Sequence, residues 1–140
     1  MQLHLVGVWD DGTPFAPLVP VNARTTLSMM QGADVTVVLD VVNNSGAPLN
    51  IDTDIAAVAS LSVKVQSGLV QSVIAKTGVA AISNVRGRRV FTIAAVDTKL
   101  VKLPNGPGRY VYDVWLTYKG KRGILVPLSP FVILPAAGQP

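Results

Sequence analysis

The 140-residue chain contains no cysteine and no glutamate, and its single histidine is His4. Without cysteine, neither a disulfide framework nor a thiolate metal site can form. Without glutamate, exposed helices cannot use the Glu–Lys pairs at i,i+4 spacing that commonly stabilise them. No Gly-x-Ser-x-Gly motif accompanies His4, so the sequence does not indicate a serine-hydrolase triad. We expect His4 to be a partly exposed strand residue.

Phosphate-binding glycine loops are also missing, since neither G-x-x-x-x-G-K-[ST] nor G-x-G-x-x-G occurs. Two pairs of aspartates, Asp10 with Asp11 and Asp52 with Asp54, lie in turn-forming sequence. Calcium requires roughly six or more oxygen ligands, whereas aspartate readily bonds to the backbone of turns, and we expect the latter here. No pair stands out as the two carboxylates of a glycosidase. We predict that the chain is not an enzyme and has no catalytic, cofactor-binding or metal-binding residues.

Charge is scarce as well. Charged residues make up 14% of the chain and hydrophobic residues 49%, with a mean hydropathy of +0.44. About one quarter charged is typical of a soluble domain, so too few charges remain to cover the surface, and we expect apolar patches that meet protein partners. The net charge of +4 suits an acidic partner. It is too weak and too scattered to indicate direct binding of nucleic acid.

Long apolar runs are absent, because no stretch approaches the roughly 20 residues that a membrane-spanning helix needs. The opening sequence, MQLHLVGVWDDG, lacks the basic stretch, apolar core and cleavage site of a secretion signal. We therefore expect synthesis in the cytoplasm and no membrane association.

The residues that are abundant favour β-structure. The chain has 23 valines, 7 isoleucines and 9 threonines, which are stiff at the β-carbon and fit a pleated sheet. Twelve glycines and ten prolines supply turns. Apolar and polar residues alternate most clearly over 34–42, 61–66 and 109–118. Strands are predicted at 3–9, 34–42, 61–66, 70–76, 79–85, 90–94, 109–118, 124–126 and 131–134.

These short, regularly spaced strands predict an all-β, single-domain antiparallel β-sandwich, with jelly-roll and immunoglobulin-like connectivities both open. Residues 1–25 are predicted to form an N-terminal strand and a proline-rich extended arm. Residues 26–135 form the β-sandwich and 136–140 a flexible tail. One or two helical turns are predicted within 94–103, and a hairpin loop at 119–123.

Two basic clusters, RGRR at 86–89 and KGKR at 119–122, lie in predicted hairpin turns. Charges in such turns are often simply solvated, but arginine also suits contact with an acidic protein surface through its planar fork of donors. Tryptophan is enriched at interface hot spots, although core packing is the alternative for Trp9 and Trp115. The predicted protein–protein interface residues are Trp9, Phe15, Arg86, Arg88, Arg89, Lys119, Lys121 and Arg122.

Residues 109–135, RYVYDVWLTYKGKRGILVPLSPFVILP, resemble the closing part of small β-sandwich domains in tailed-phage virions. Such domains have a Gly-x-Tyr-x-Tyr-Asp strand, a basic hairpin and a final strand that ends in proline. The matching residues are Gly108, Tyr110, Tyr112, Asp113, Phe131, Val132 and Ile133.

Residues 29–51 are similar to the opening of the same domains. This sequence departs from them by Ala33, between Gly32 and Asp34, and by a longer N-terminal arm. The two stretches cover less than half of the chain and do not specify the part of the virion.

The resemblance implies a phage virion structural protein made in the host cytoplasm. Because the chain ends soon after its last predicted strand, it is most similar to a capsid cement or decoration protein. Such a protein lies on the capsid surface and bridges major capsid protein subunits, and we expect a homo-oligomer, either a dimer or a trimer. A tail, baseplate or fibre-attachment domain and a carbohydrate-binding module are the alternatives.

Overall fold

A computed structural model describes residues 2–12, 14, 25–65, 72–80, 87–99 and 108–135. The strands in these ranges form two β-sheets. Within these ranges there are nine strands, one short α-helix and one turn of 3-10 helix at Ile51–Thr53. The strands are β1 (Gln2–Val8), β2 (Leu27–Met30), β3 (Val35–Val42), β4 (Val58–Val65), β5 (Ser72–Thr77), β6 (Val79–Ala80), β7 (Arg88–Ile93), β8 (Gly108–Tyr118) and β9 (Lys121–Leu134). The helix, α1, spans Ala95–Lys99.

The four-stranded sheet has the order β1-β3-β7-β6, and the five-stranded sheet has the order β2-β9-β8-β4-β5. Two edge pairs, β1 with β3 and β2 with β9, are parallel, and the other neighbours are antiparallel. The predicted all-β sandwich is therefore confirmed.

The core lies between the sheets, where alternate side chains of each strand point inward. Val35, Val37 and Leu39 of β3 are buried as the alternation predicts. The aromatic rings of Tyr112 and Phe131 meet edge to face at 6.1 Å between centroids, which joins β8 to β9 in the core.

One long strand, β9, replaces the two short strands predicted at 124–126 and 131–134. Pro127 and Pro130 lie between the two predicted strands, where they favour an interruption because proline cannot donate to a ladder. The β8–β9 pairing shifts its register near Val114, opposite Pro127, and the parallel partner β2 pairs only from Phe131 onward. Neither proline therefore has to donate a hydrogen bond towards β2, and the strand continues through both.

In the N-terminal part of the sequence, the predicted and observed structures differ mainly in the edge strands β1 and β2. Strand β2 was not predicted, although Leu27 and Met29 are buried, because four residues are too few for a clear alternation. All seven residues of β1 pair with β3, and Leu5 belongs to the core. The strand part of the predicted segment 1–25 is thus integrated in the four-stranded sheet. Residues 15–24 of the predicted arm and 136–140 of the predicted tail lie outside the described residues.

Helix α1 agrees with the helical turns predicted within 94–103, of which 100–103 lie outside the described residues. Asp97 accepts a hydrogen bond from the Ala94 backbone N–H at 2.7 Å and pairs with Lys76 Nζ at 2.8 Å. Thr98 Oγ1 accepts a hydrogen bond from the Gly32 backbone N–H at 2.9 Å. In the part of the chain that the structure describes, no helix has the length and apolar character needed to cross a membrane.

Candidate functional site: a basic hairpin between a docking face and a cleft

The β8–β9 hairpin turns through two residues, Lys119 and Gly120, which have φ angles of 51° and 75°. Two consecutive left-handed residues are typical of the type I′ turn, whose twist matches that of the flanking strands. The predicted five-residue loop is therefore a two-residue turn, and Lys121 and Arg122 already belong to β9. This geometry places three cations at one end of the sandwich.

The hairpin cations contact aromatic rings. Arg122 Cζ lies 4.1 Å from the ring centroid of Trp115, and Lys119 Nζ lies 5.3 Å from that of Tyr118. Cations at these distances are attracted by the ring quadrupole. Lys121 is exposed, and among the described residues none of these three cations forms an ion pair. The hairpin cations thus form no ion pair with a described carboxylate, although Asp54 Oδ2 accepts a hydrogen bond from the Lys119 backbone N–H at 2.7 Å.

The other predicted basic cluster is not in a turn. Arg88 and Arg89 are the first residues of β7 and point to opposite faces of the four-stranded sheet. Arg88 forms a two-point ion pair with Asp40, with Nε–Oδ1 at 2.7 Å and Nη2–Oδ2 at 3.1 Å. The hydrogen bonds that Arg88 donates to Asp40 raise the pKa of Arg88 above its usual value.

Arg89 is buried, with 8% of its side chain exposed, and its Nη1 lies 2.7 Å from Asp52 Oδ1. The expectation that Arg88 and Arg89 lie in a hairpin turn is wrong, because both belong to β7. The register of β7 against β3 sets Arg88 opposite Asp40, and Arg89 meets Asp52 of the 3-10 turn. Arg86 lies outside the described residues.

Most side chains on the outer face of the five-stranded sheet, the docking face, are apolar. Trp115 lies at its centre, between Ser60 of β4 and Ile124 of β9. Val58 is 45% exposed, Val73 41% and Leu128 38%. The other outward apolar residues are Val111, Ile124, Pro130 and Val132.

The charged groups of the docking face are mainly basic. Lys64 Nζ pairs with Asp113 Oδ2 at 3.3 Å, and the Asp113 side chain is only 7% exposed. Its other oxygen, Oδ1, is buried and has no hydrogen-bond partner among the described residues. Arg109 is exposed on the same side of β8, and Arg122 covers Trp115. The face is therefore an apolar surface with a net positive charge.

An open cleft of about 580 Å³ lies on the opposite side of the hairpin from the docking face. Its lining residues are Trp9, Asp10, Asp11, Gly12, Tyr118, Lys119 and Lys121. Lys121 lies on the cleft side because it precedes Arg122 in β9, and successive strand residues point to opposite sides. The cleft thus combines aromatic, acidic and basic groups.

Trp9 is half-buried and packs against the core. Its ring meets Tyr118 edge to face, with centroids 5.9 Å apart and planes at 81°. Gly123 permits this packing, since a β-carbon there would lie 2.8 Å from the indole ring. Core packing, the alternative to an interface role for Trp9, is therefore observed for part of its ring, whereas Phe15 lies outside the described residues.

Asp10 has a fixed orientation at the cleft. Its Oδ1 accepts hydrogen bonds from Asn44 Nδ2 at 2.6 Å and from the Gly12 backbone N–H at 3.0 Å. These two bonds, that from Asn44 above all, lower the pKa of Asp10, so it is ionised at neutral pH. The predicted bonding to turn backbone is thus found for Asp10, and likewise for Asp54, which accepts from the Ala56 N–H at 3.0 Å, whereas Asp52 pairs with Arg89. In the described ranges, no three Asp or His side chains are grouped closely enough to hold a metal ion.

Comparison with known proteins gives little. No protein-family model matches the chain, and no curated protein matches it. Among solved structures, it is similar to the N-terminal domain of phage TP901-1 ORF48, with a TM-score of 0.43 and 10% sequence identity. That match covers 96% of this chain and 98% of the other. A likeness this low carries no argument about function.

Proposed function

We propose that the chain is a structural protein of a phage virion, a capsid cement or decoration protein that docks on major capsid protein subunits and ties them together. The observation that carries this proposal is the docking face, which combines exposed apolar side chains with Arg109 and Arg122, two cations that form no ion pair among the described residues. Exposed apolar patches on small domains typically mark contacts with other proteins.

The sequence resemblance to phage virion sandwiches supports the proposal from a second direction. The matching residues of its closing stretch, among them Tyr110, Tyr112 and Asp113, lie on β8 and β9. These adjacent strands lie at the centre of the five-stranded sheet, between β4 and β2. The closing stretch therefore belongs to the sheet that carries the docking face, whereas the opening stretch, 29–51, includes β3 of the other sheet.

The chemistry of the face indicates an acidic and partly apolar partner. Trp115 under Arg122 joins the two residue types most often found at interface hot spots. A stable interface buries about 800 Å² on each partner. The positive charge of the face steers an acidic partner and fixes its orientation. A second copy of the same face would bring positive charge against positive charge, so the docked surface is that of another protein.

The proposed mechanism is mechanical. Packed DNA presses outward on a shell, and a small protein bridging two or three subunits adds interface that must break before they separate. Binding only to the assembled lattice stabilises that lattice by mass action. The same sandwich in a tail, baseplate or fibre would dock by the same physics at far fewer places.

Copy number in purified virions of the phage that encodes the chain tests the proposal. A cement protein is expected in hundreds of copies, measured by quantitative mass spectrometry against the major capsid protein. A copy number that corresponds to only a few rings per virion would contradict the cement role and indicate a tail or baseplate role instead. Absence from virions would overturn the structural role altogether.

Charge variants then test the docking face. Arg122→Gln and Lys121→Gln each remove one positive charge from the same hairpin, but only Arg122 lies on the docking face. Binding of labelled protein to particles stripped of it should weaken about tenfold for Arg122→Gln, since loss of a hot-spot residue costs roughly 1–2 kcal/mol. Lys121→Gln should bind within about twofold of wild type. Equal effects of both changes would contradict docking through this face.

A further inference from the structure

We propose that the cleft beside the hairpin binds a neutral carbohydrate, with a pyranose ring against Trp9 and hydroxyl groups held by Asp10 and Lys121. This inference concerns a different surface from the docking face and does not depend on the proposed cement role.

Trp9 supplies a rigid apolar wall. Its ring is held by Tyr118 at 5.9 Å and lies close against Gly123, and it still lines the cleft. A held ring loses little rotational freedom when a ligand packs on it, which favours weak ligands such as sugars. The apolar C–H face of a pyranose offers a flat partner for such a surface.

Asp10 supplies a preoriented acceptor. Oδ1 accepts hydrogen bonds from Asn44 and Gly12, which fixes the carboxylate, and both of these bonds leave Oδ2 for a ligand. Lys121 Nζ supplies donors and forms no ion pair with a described carboxylate. A sugar hydroxyl both donates and accepts, so one ligand satisfies Asp10 and Lys121 together.

The charge and size of the cleft narrow the ligand class. Two carboxylates, Asp10 and Asp11, and two ammonium groups, Lys119 and Lys121, line it, so their formal charges cancel. A ligand of strong net charge would be repelled by one pair as it is attracted by the other. A volume of about 580 Å³ lies within the range of roughly 300–1,000 Å³ usual for small-molecule sites.

The test is an NMR titration of the full ¹⁵N-labelled chain with glucose, galactose, N-acetylglucosamine and rhamnose, each to high millimolar concentration. At least one sugar should give saturable shifts confined to residues 9–12 and 118–123, together with a change in tryptophan fluorescence. The absence of saturable shifts with all four sugars would overturn the proposal. So would saturable binding of glucuronic acid with no response to the neutral sugars.

Variants locate the site. Lys121→Ala and Asp10→Asn should each raise the dissociation constant for the sugar at least fivefold, because a hydrogen bond to a charged group is lost or weakened. Arg122→Gln, on the docking face, should bind the sugar as wild type does. Trp9→Phe keeps an aromatic ring in place if Trp9→Ala fails to fold, and should weaken binding less than Lys121→Ala.

Sugar binding unaffected by both Lys121→Ala and Asp10→Asn would overturn the assignment. These results are separable from the docking test, because Arg122→Gln should weaken particle binding only, whereas Lys121→Ala should weaken sugar binding only.

Discussion

Two segments of the chain have nearly the same sequence, RGRR at 86–89 and KGKR at 119–122, and the fold uses them in opposite ways. Each has a glycine with a left-handed backbone, Gly87 at φ 78° and Gly120 at φ 75°. After Gly87 the cations enter β7 and meet carboxylates, whereas after Gly120 they enter β9 and meet aromatic rings or solvent.

The difference lies in residues far away in the sequence. Arg88 and Arg89 of the first segment form ion pairs with Asp40 of β3 and Asp52 of the 3-10 turn, so these cations stabilise the fold around the four-stranded sheet. In the second segment, Lys119 and Arg122 contact the rings of Tyr118 and Trp115, which are uncharged, so these cations keep their charge for a partner or ligand. The same local pattern therefore stabilises the fold in one place and, on the proposed function, serves binding in the other.

The largest contrast is expected between the two glycines. A β-carbon at Gly87 would lie 2.2 Å from the Leu49 carbonyl oxygen, whereas nothing lies within 4 Å of one at Gly120. Gly87→Ala should therefore destabilise by about 3 kcal/mol or more, through steric overlap and backbone strain together. Gly120→Ala should cost about 1 kcal/mol from strain alone. Urea unfolding measures both, and equal losses would contradict the structural contrast.

Alkaline pH tests the anchoring of β8, which leads into the hairpin. Burial raises the pKa of Tyr112 from 10.0 to about 12, against a smaller lowering by Ser129. The folded state therefore holds the phenolic proton more tightly than the unfolded state does. This contribution is complete below pH 10 and is lost as pH rises towards 12, for a total of about 2 kcal/mol.

Thermal unfolding between pH 9 and 12 measures this loss. Tyr112→Phe has no titrating group and should show a flatter profile than wild type over the same range. If the two profiles run parallel, Tyr112 is not the group responsible.

Loss of the ion pair between buried Arg89 and Asp52 should have the next largest effect on stability. Asp52→Asn leaves Arg89 buried without an opposite charge, but Asp52 is 45% exposed and water can reach its site. We expect a loss of about 1–2 kcal/mol in the free energy of unfolding. Arg122→Gln, the counterpart in the hairpin, removes one cation–π contact and should cost at most about 0.5–1 kcal/mol. A larger loss for Arg122→Gln would reverse the roles assigned to the two segments.

The smallest effect is expected when one cation replaces another. Arg88→Lys loses the two-point geometry with Asp40 and should lower the melting temperature slightly. Lys121→Arg keeps the charge of an exposed residue and should leave the melting temperature unchanged. Differential scanning calorimetry under one buffer condition compares the two variants, and a larger drop for Lys121→Arg would be unexpected.

The strands with strict alternation could be predicted from sequence because burial of one face imposes a period of two on β3, β4 and β8. The continuity of β9 through Pro127 and Pro130 could not, since it depends on a register shift in β8 and on how far β2 extends. Nor could the short parallel strand β2, whose partner lies over 100 residues away in the sequence.

The candidate site was predictable in part. The hairpin cations were found because glycine and basic residues between two alternating strands indicate an exposed turn. The same signal placed Arg88 and Arg89 wrongly, because nothing near them in the sequence reveals Asp40 or Asp52. The cleft was missed because Trp9 and Tyr118 lie 109 residues apart and meet only in the fold. The aspartates after Trp9, in the turn DDG, were the available signal.

A cryo-electron microscopy reconstruction of virions from the phage proposed to encode the chain tests the central claim most directly. If the proposed function is right, density for this sandwich is expected on the capsid, with the docking face, including Trp115 and Arg122, against another virion protein. A sandwich present in the virion with that face turned to solvent, or a virion that lacks the chain, would contradict it.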